Sequence, residues 1–132
     1  MQKITLSRTA ISSGSTITKV SGRLVFTDVL ELLKLIRKDC RLGRCYEIVR
    51  FESGAQLDIT FEEASVLIDN IRPLLDDMHR VIIAFVADND LLFGFSRQIE
   101  FLLEDGKHIL IDVFRDENSA HAWMCKMRGT SG

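Results

Sequence analysis

The distribution of apolar residues along the chain switches between continuous β-branched runs and helical spacing, and the clearest switch lies between Val81 and Asp116. VIIAFVA (Val81 to Ala87) is an unbroken apolar run, which suits a strand covered on both faces as in a parallel sheet. Asp88, Asn89 and Asp90 supply turn chemistry and an N-cap, because a short side-chain oxygen can accept from the orphan amides of a helix's first turn. From Leu91 to about Glu104, Leu92, Phe95, Ile99, Leu102 and Leu103 return at about 100° per residue and define one apolar arc. Gly106 closes that helix, and HILIDVF (His108 to Phe114) is a second strand, so the stretch predicts a right-handed crossover between parallel strands.

The same patterns extend in both directions. Lys3 to Arg8 alternates weakly, as a first strand or a mobile arm within residues 1–15, and Ser12 to Ser15 around Gly14 predicts a turn. Thr16 to Val20 is the next strand, and Ser21-Gly22 turns the chain toward a helix with Thr27 as N-cap, Asp28 in its first turn and Val29, Leu32, Leu33 and Ile36 on its inner face. Cys45 to Phe51 is a strand with one wetter face, and LDI (Leu57 to Ile59) is briefly extended. Thr60 and Glu63 form a capping box for a helix bearing Ala64, Leu67, Ile68 and Ile71, which Pro73 should end or bend near Arg72. Asp116 caps a last helix to about Met127, with Ala120, Trp123, Met124 and Met127 inward, and residues 128–132 form a polar tail expected to be mobile. The alternation of strands and helices predicts one α/β domain over residues 1–132, with a mixed, largely parallel sheet flanked by helices.

Composition narrows the class. A chain of 132 residues can bury roughly two-thirds of its unfolded surface in a single core. A formal charge of −2 without a broad Lys/Arg stripe removes the footprint expected of a nucleic-acid binder. No apolar run approaches the length of a membrane span and the N-terminus lacks an apolar signal segment, so a cytoplasmic protein is expected. Three cysteines fit free thiols in a reducing compartment. Cys40 and Cys45 sit among Arg37, Lys38, Arg41 and Arg44, where cations favour a thiolate, although unreactive loop cysteines are the plainer account and C-x4-C without a second pair is not a zinc signature.

LDITFEEASVLID (Leu57 to Asp69), the Val81 to Ala87 strand, FGFSRQIEFLLE (Phe93 to Glu104) and VFRDENSAHAWM (Val113 to Met124), taken in this order of elements, resemble the STAS fold, specifically its SpoIIAA-like branch of small bacterial proteins. The resemblance covers about residues 16 to 127. It implies a regulatory domain that works by docking on a protein partner. In true antagonists of the fold a Ser or Thr opening the helix after the third strand accepts phosphate, and Thr60 holds that place here. Its neighbours Ile59 and Phe61 replace the small residues of that setting, and the capping box accounts for Thr60 by itself, so Thr60 is a candidate phosphoacceptor that departs from the pattern. The branch is also similar in outline to lipid-carrying CRAL-TRIO domains, though the chain's length leaves little room for a lipid cavity.

Candidate chemistry is sparse. Ligands of open α/β sheets bind beyond the carboxyl ends of the strands, where Glu52, Ser53, Asp88 and Arg115 form a candidate ligand edge for a small molecule. With Asp90 and Asp116 assigned as caps, too few carboxylates remain there for a metal, and no Gly-rich phosphate loop occurs, so neither metal nor cofactor is expected. His79 and His108 fall at the amino ends of strands and His121 on the last helix, so no catalytic residue is assigned. On the central helix Phe93, Arg97 and Phe101 lie off the core arc, a stripe suited to an interface. The sequence therefore predicts a non-catalytic interaction domain that forms a homodimer or meets a regulatory protein partner, with small-molecule or lipid-type binding at the carboxyl edge as the alternative.

Overall fold

The structure is a computed structural model that describes residues 4–11 and 15–129. Five strands form one sheet in the order β1 (Thr5–Ala10), β2 (Thr16–Ser21), β4 (Arg44–Phe51), β6 (Arg80–Val86), β7 (Ile109–Phe114). β1 pairs antiparallel to β2 and the other pairings are parallel. Two short segments, β3 (Arg23–Leu24) and β5 (Gln56–Leu57), pair with each other beside this sheet. Helices α1 (Phe26–Asp39), α2 (Phe61–Leu75) and α3 (Asp90–Leu103) connect the parallel strands, and α4 (Glu117–Arg128) ends the fold.

Strand β6 is buried at every residue, as a continuous apolar run requires. On one face of the sheet Val49, Val81, Ile83, Phe85, Ile109 and Ile111 pack under α1, α2 and α3, with the Phe51 and Phe85 rings stacked at 6.2 Å. On the other, Ile17, Ile48, Ile82, Ala84 and Val86 pack against Ala120 and Met124 of α4, flanked by Trp123 and Met127. The inner faces of α1 and α2 are the residues predicted from periodicity, extended in α2 by Leu75.

Three boundaries differ from the sequence expectation. Helix α1 begins at Phe26 with Val25 at its cap; Thr27 lies inside the first turn, and the Asp28 carboxylate accepts from the Val25 amide at 3.2 Å. Pro73 does not stop α2, which runs on to Leu75: the proline is on the exposed side and forfeits one donor, while buried Leu75 and an Asp76 amide bond to Arg72 O at 3.0 Å hold the last turn. Asn89, not Asp90, caps α3, its side chain accepting from the Leu92 amide at 2.8 Å. The weak N-terminal alternation is strand β1; of the turn predicted over Ser12 to Ser15, residues 12–14 lie outside the described residues, and of the tail predicted over residues 128–132, Arg128 is instead the last residue of α4 and Gly129 its cap, with 130–132 outside the described residues.

The capping box of α2 is complete, with Thr60 Oγ1 accepting from the Glu63 amide at 3.1 Å and Glu63 Oε1 accepting from the Thr60 amide at 2.9 Å. Thr60→Ala is expected to lower stability by about 1 kcal/mol in urea unfolding, with Thr60→Ser recovering most of it. An unchanged midpoint for Thr60→Ala would show that the box contributes nothing to the fold.

Candidate functional site

At the carboxyl edge, Ser53, Asp88 and Arg115 line a small cleft of about 230 Å³ together with Arg50, Asp116 and Glu117. Its cations are already committed. Arg50 donates to Glu117 at 2.6 Å and lies 3.9 Å from Glu52, while Arg115 pairs with Asp90 at 2.9 Å and stacks its guanidinium 3.9 Å from the Phe93 ring centroid. Asp90 is available to Arg115 because Asn89 does the capping. Burial works against the Glu117 charge, but hydrogen bonds from His121 and Arg50 hold its carboxyl below the ordinary range. Thr60 lies at the start of α2, exposed, with its hydroxyl engaged in the cap.

The off-core stripe of α3 separates into two parts. Phe93 is half-buried, packed on the core and covered by Arg115 and by Arg97, whose guanidinium lies 5.3 Å from the ring centroid. Arg97 also pairs with Glu100 at 2.7 Å and reaches Asp112 at 3.4 Å. Phe101 is 85% exposed, and nearly three turns away Leu91 is 63% exposed.

The amino edge holds a cluster that sequence reasoning missed. Arg8, Thr18 and Glu47 come from three neighbouring strands: Arg8 donates to Thr18 Oγ1 at 2.8 Å and to Glu47 Oε1 at 2.7 Å, and Thr18 Oγ1 donates to the same carboxylate oxygen at 3.0 Å. The other guanidinium nitrogen reaches Asp39, at the end of α1, at 2.9 Å. Glu47 is only 2% exposed and its Oε2 has no hydrogen-bond partner among the described residues. Burial pushes its carboxyl up to about 7, against the pull of Arg8 and Thr18 in the other direction. One signal could have disclosed it: Glu47 shares strand parity with Cys45, Val49 and Phe51, which all face the three-helix layer.

Beside this cluster Cys40 and Cys45 form a disulfide, their Cα atoms 4.8 Å apart, which corrects the expectation of three free thiols; Cys125 alone remains free, on the surface. The cause is local. Arg41 and Arg44 bridge each other through reciprocal amide bonds of 3.1 and 2.9 Å across a turn with Leu42 and Gly43 at positive φ, so the flanking cysteines meet. A cleft of about 400 Å³ opens over the Arg8–Glu47 pair and the disulfide. Among the described residues no group of three His, Cys, Asp or Glu side chains is placed to hold a metal, and no helix is long and apolar enough to cross a membrane.

Glu47 predicts an inverted pH dependence. Its folded pKa lies above the ordinary 4.5, so the folded chain holds the extra proton between about 4.5 and about 7, and stability falls as pH rises through that window. The loss on going from about pH 5 to about pH 8 is expected to approach 3 kcal/mol at most, and Glu47→Gln, which imitates the acid form, should remove it. Urea unfolding of both chains across that range checks this; parallel pH profiles would assign the slope to other groups.

No family model matches the chain, and no curated protein matches it. Among solved structures the chain is similar to the crystal structure of an uncharacterised protein of the DUF3478 family with a SpoIIAA-like fold from Shewanella loihica PV-4. The superposition covers 95% of this chain and 96% of that one, with a TM-score of 0.52 and 14% identity. That likeness and the sheet order agree with the architecture that the sequence resembles: the fold of this chain is SpoIIAA-like, an α/β layer structure.

Proposed function

We propose that the chain is a non-catalytic regulatory domain that works by binding, and that its first partner is a second copy of itself, met through the outer side of α3. The observation that carries this reading is a seam of residues on that helix. Leu91, Gly94, Gln98 and Phe101 follow one another at spacings of three, four and three, so they line one uncharged strip opposite the buried Leu92, Phe95, Ile99 and Leu103. Leu91 and Phe101 are largely exposed, and the Gln98 amide lies 3.5 Å from the carbonyl of Phe61, another exposed aromatic at the start of α2.

The strip is self-complementary about a two-fold axis. Leu91 and Phe101 are ten residues, or about 15 Å, apart along the helix, so an antiparallel copy centred between Gly94 and Gln98 sets each Leu91 against the other copy's Phe101. Gly94 supports close approach at that centre. A Cβ there would meet nothing within 4 Å in the same chain, and glycine costs a helix interior roughly 0.5–1 kcal/mol relative to alanine, so packing within one copy gives no reason for it. In this reading the Phe93–Arg97 part of the stripe borders the contact and holds the helix to β7. Docking of another regulatory protein on the same strip, and a ligand at the carboxyl edge, are the competing readings; the latter is disfavoured because Arg50 and Arg115 are neutralised within the chain.

Light scattering is expected to give a dimer mass at micromolar concentration, and Phe101→Glu to weaken that dimer on the order of a hundredfold or more, from the buried ring area lost, with an unchanged circular dichroism spectrum. Gly94→Ala should weaken the dimer too, while raising unfolding stability by roughly 0.5–1 kcal/mol in the Phe101→Glu background. A wild-type chain that stays monomeric, or a dimer indifferent to both changes, would sink the reading.

A further inference from the structure

The amino-edge cleft lies where β2 and β4 begin and α1 ends, away from the α3 seam. Four guanidinium groups line it, from Arg8, Arg41, Arg44 and Arg128, against two carboxyls, from Asp39 and Glu47. Arg8 is taken up by those two carboxyls. Arg41 and Arg44, carried on the disulfide-closed turn, form no ion pair with a carboxylate among the described residues, and neither does Arg128, which lies 5.0 Å from the Tyr46 ring centroid. This local excess of positive charge stands in a chain whose formal charge is −2.

Two further features set the cleft apart from a solvated basic rim. Of its lining residues Glu47 and Ser15 are buried, and Glu47 Oε2 and Ser15 Oγ have no hydrogen-bond partner among the described residues, an unfavourable state for a buried polar group unless something else meets it. Among its lining residues Leu42 is 96% exposed and held at φ 54, an uncommon conformation for a non-glycine residue that presents an apolar side chain to solvent.

We propose that this cleft binds a small monocarboxylate with an apolar or aromatic body. Its carboxylate pairs with the guanidinium groups of Arg41 and Arg44 and accepts a hydrogen bond from the acid form of Glu47 through Oε2, while Leu42 and Ile36, on the same side of the sheet as Glu47, pack on its body. Arginine suits the head group because its planar fork matches a carboxylate bidentately. A dianion such as phosphate is disfavoured beside Glu47, where only one proton is available to share and Asp39 stands behind Arg8.

The acid form of Glu47 makes the site proton-linked. The groups facing that carboxyl are Arg8 from β1, the Thr18 hydroxyl from β2 and Asp39 from the end of α1, while β6 places apolar Ile83 opposite it; Arg41 and Arg44 line the same cleft from the turn. Its carboxyl titrates near neutrality. The bound carboxylate needs the proton, so affinity falls toward tenfold per pH unit above that value, with one proton taken up on binding.

Isothermal titration of the oxidised full chain with benzoate, hexanoate and, separately, inorganic phosphate tests this at about pH 6 and about pH 8.5 at constant ionic strength. Expected are saturable 1:1 binding of the monocarboxylates, at least about tenfold weaker at the higher pH, and much weaker binding of phosphate. Glu47→Gln should bind benzoate with little pH dependence, since an amide donates at either pH, and the Arg41→Ala, Arg44→Ala double variant should lose about tenfold or more at both. Should Glu47→Gln fail to fold, titrations of the wild-type chain in buffers of different ionisation enthalpy read the proton directly: uptake approaching one at the higher pH supports the site, and none overturns it. Absence of benzoate binding at millimolar concentration, or phosphate binding equally well without regard to pH, also overturns it.

Discussion

Right-handed crossovers in a sheet whose parallel strands are added one after another toward the same edge govern this structure. Under that constraint α1, α2 and α3 must all lie on one face, so the opposite face is left to α4, and the buried strand β6 is covered by three helices on one side and one on the other. The division explains why α4 spends its few apolar residues over Ile48, Ile82, Ala84 and Val86. It also makes α3 the last member of its layer. Phe93 and Arg97 turn toward Arg115 and Asp112 at the β7 edge, Gln98 turns toward α2, and Gly94 and Phe101 are left facing outward.

The parallel arrangement also sorts the charges. Helices begin at the carboxyl edge and end at the amino edge, so side chains following the strands meet helix N-termini while α1 delivers Asp39 and the cysteine turn to the other side. At the carboxyl edge Arg50 and Arg115 each find a carboxylate within a few residues of a helix start, and carboxylates outnumber the two cations. At the amino edge the antiparallel strand β1 brings Arg8 over buried Glu47, and one carboxylate oxygen is satisfied twice while the other is not. A buried pair of this kind is poor support for stability, because desolvation offsets much of the attraction; its raised carboxyl pKa is the sign of that balance.

Much of the architecture was legible along the chain because helices and buried strands repeat their apolar residues at their own period. Val81 to Ala87 as a covered strand, the inner faces of α1 and α2, and the Thr60–Glu63 box needed no long-range information. Boundaries were less legible where several residues could serve. Three consecutive short polar side chains, Asp88 to Asp90, lie where α3 begins, and by residue type any of them can cap; Asn89 does, which frees Asp90 for Arg115. Pro73 reads as a stop, yet the packing of Leu75 outweighs one missing donor.

By itself the sequence determined the alternation of the main strands and helices and which side of α1 and α2 turns inward, since these follow from local period, while the SpoIIAA-like class was legible only as a resemblance carried by particular residues. Only the tertiary structure decided which residues meet across long separations. Arg8 and Glu47, 39 residues apart, become partners because strands β1, β2 and β4 lie side by side; nothing in the intervening chain encodes the distance between them. Cys40 and Cys45 join because a helix end and a strand start converge on one turn, where spacing alone was equally compatible with free thiols. Leu91, Gly94, Gln98 and Phe101 become an outer seam only once the sheet has claimed the opposite side of α3, since burial, not residue type, distinguishes a core arc from an exposed one.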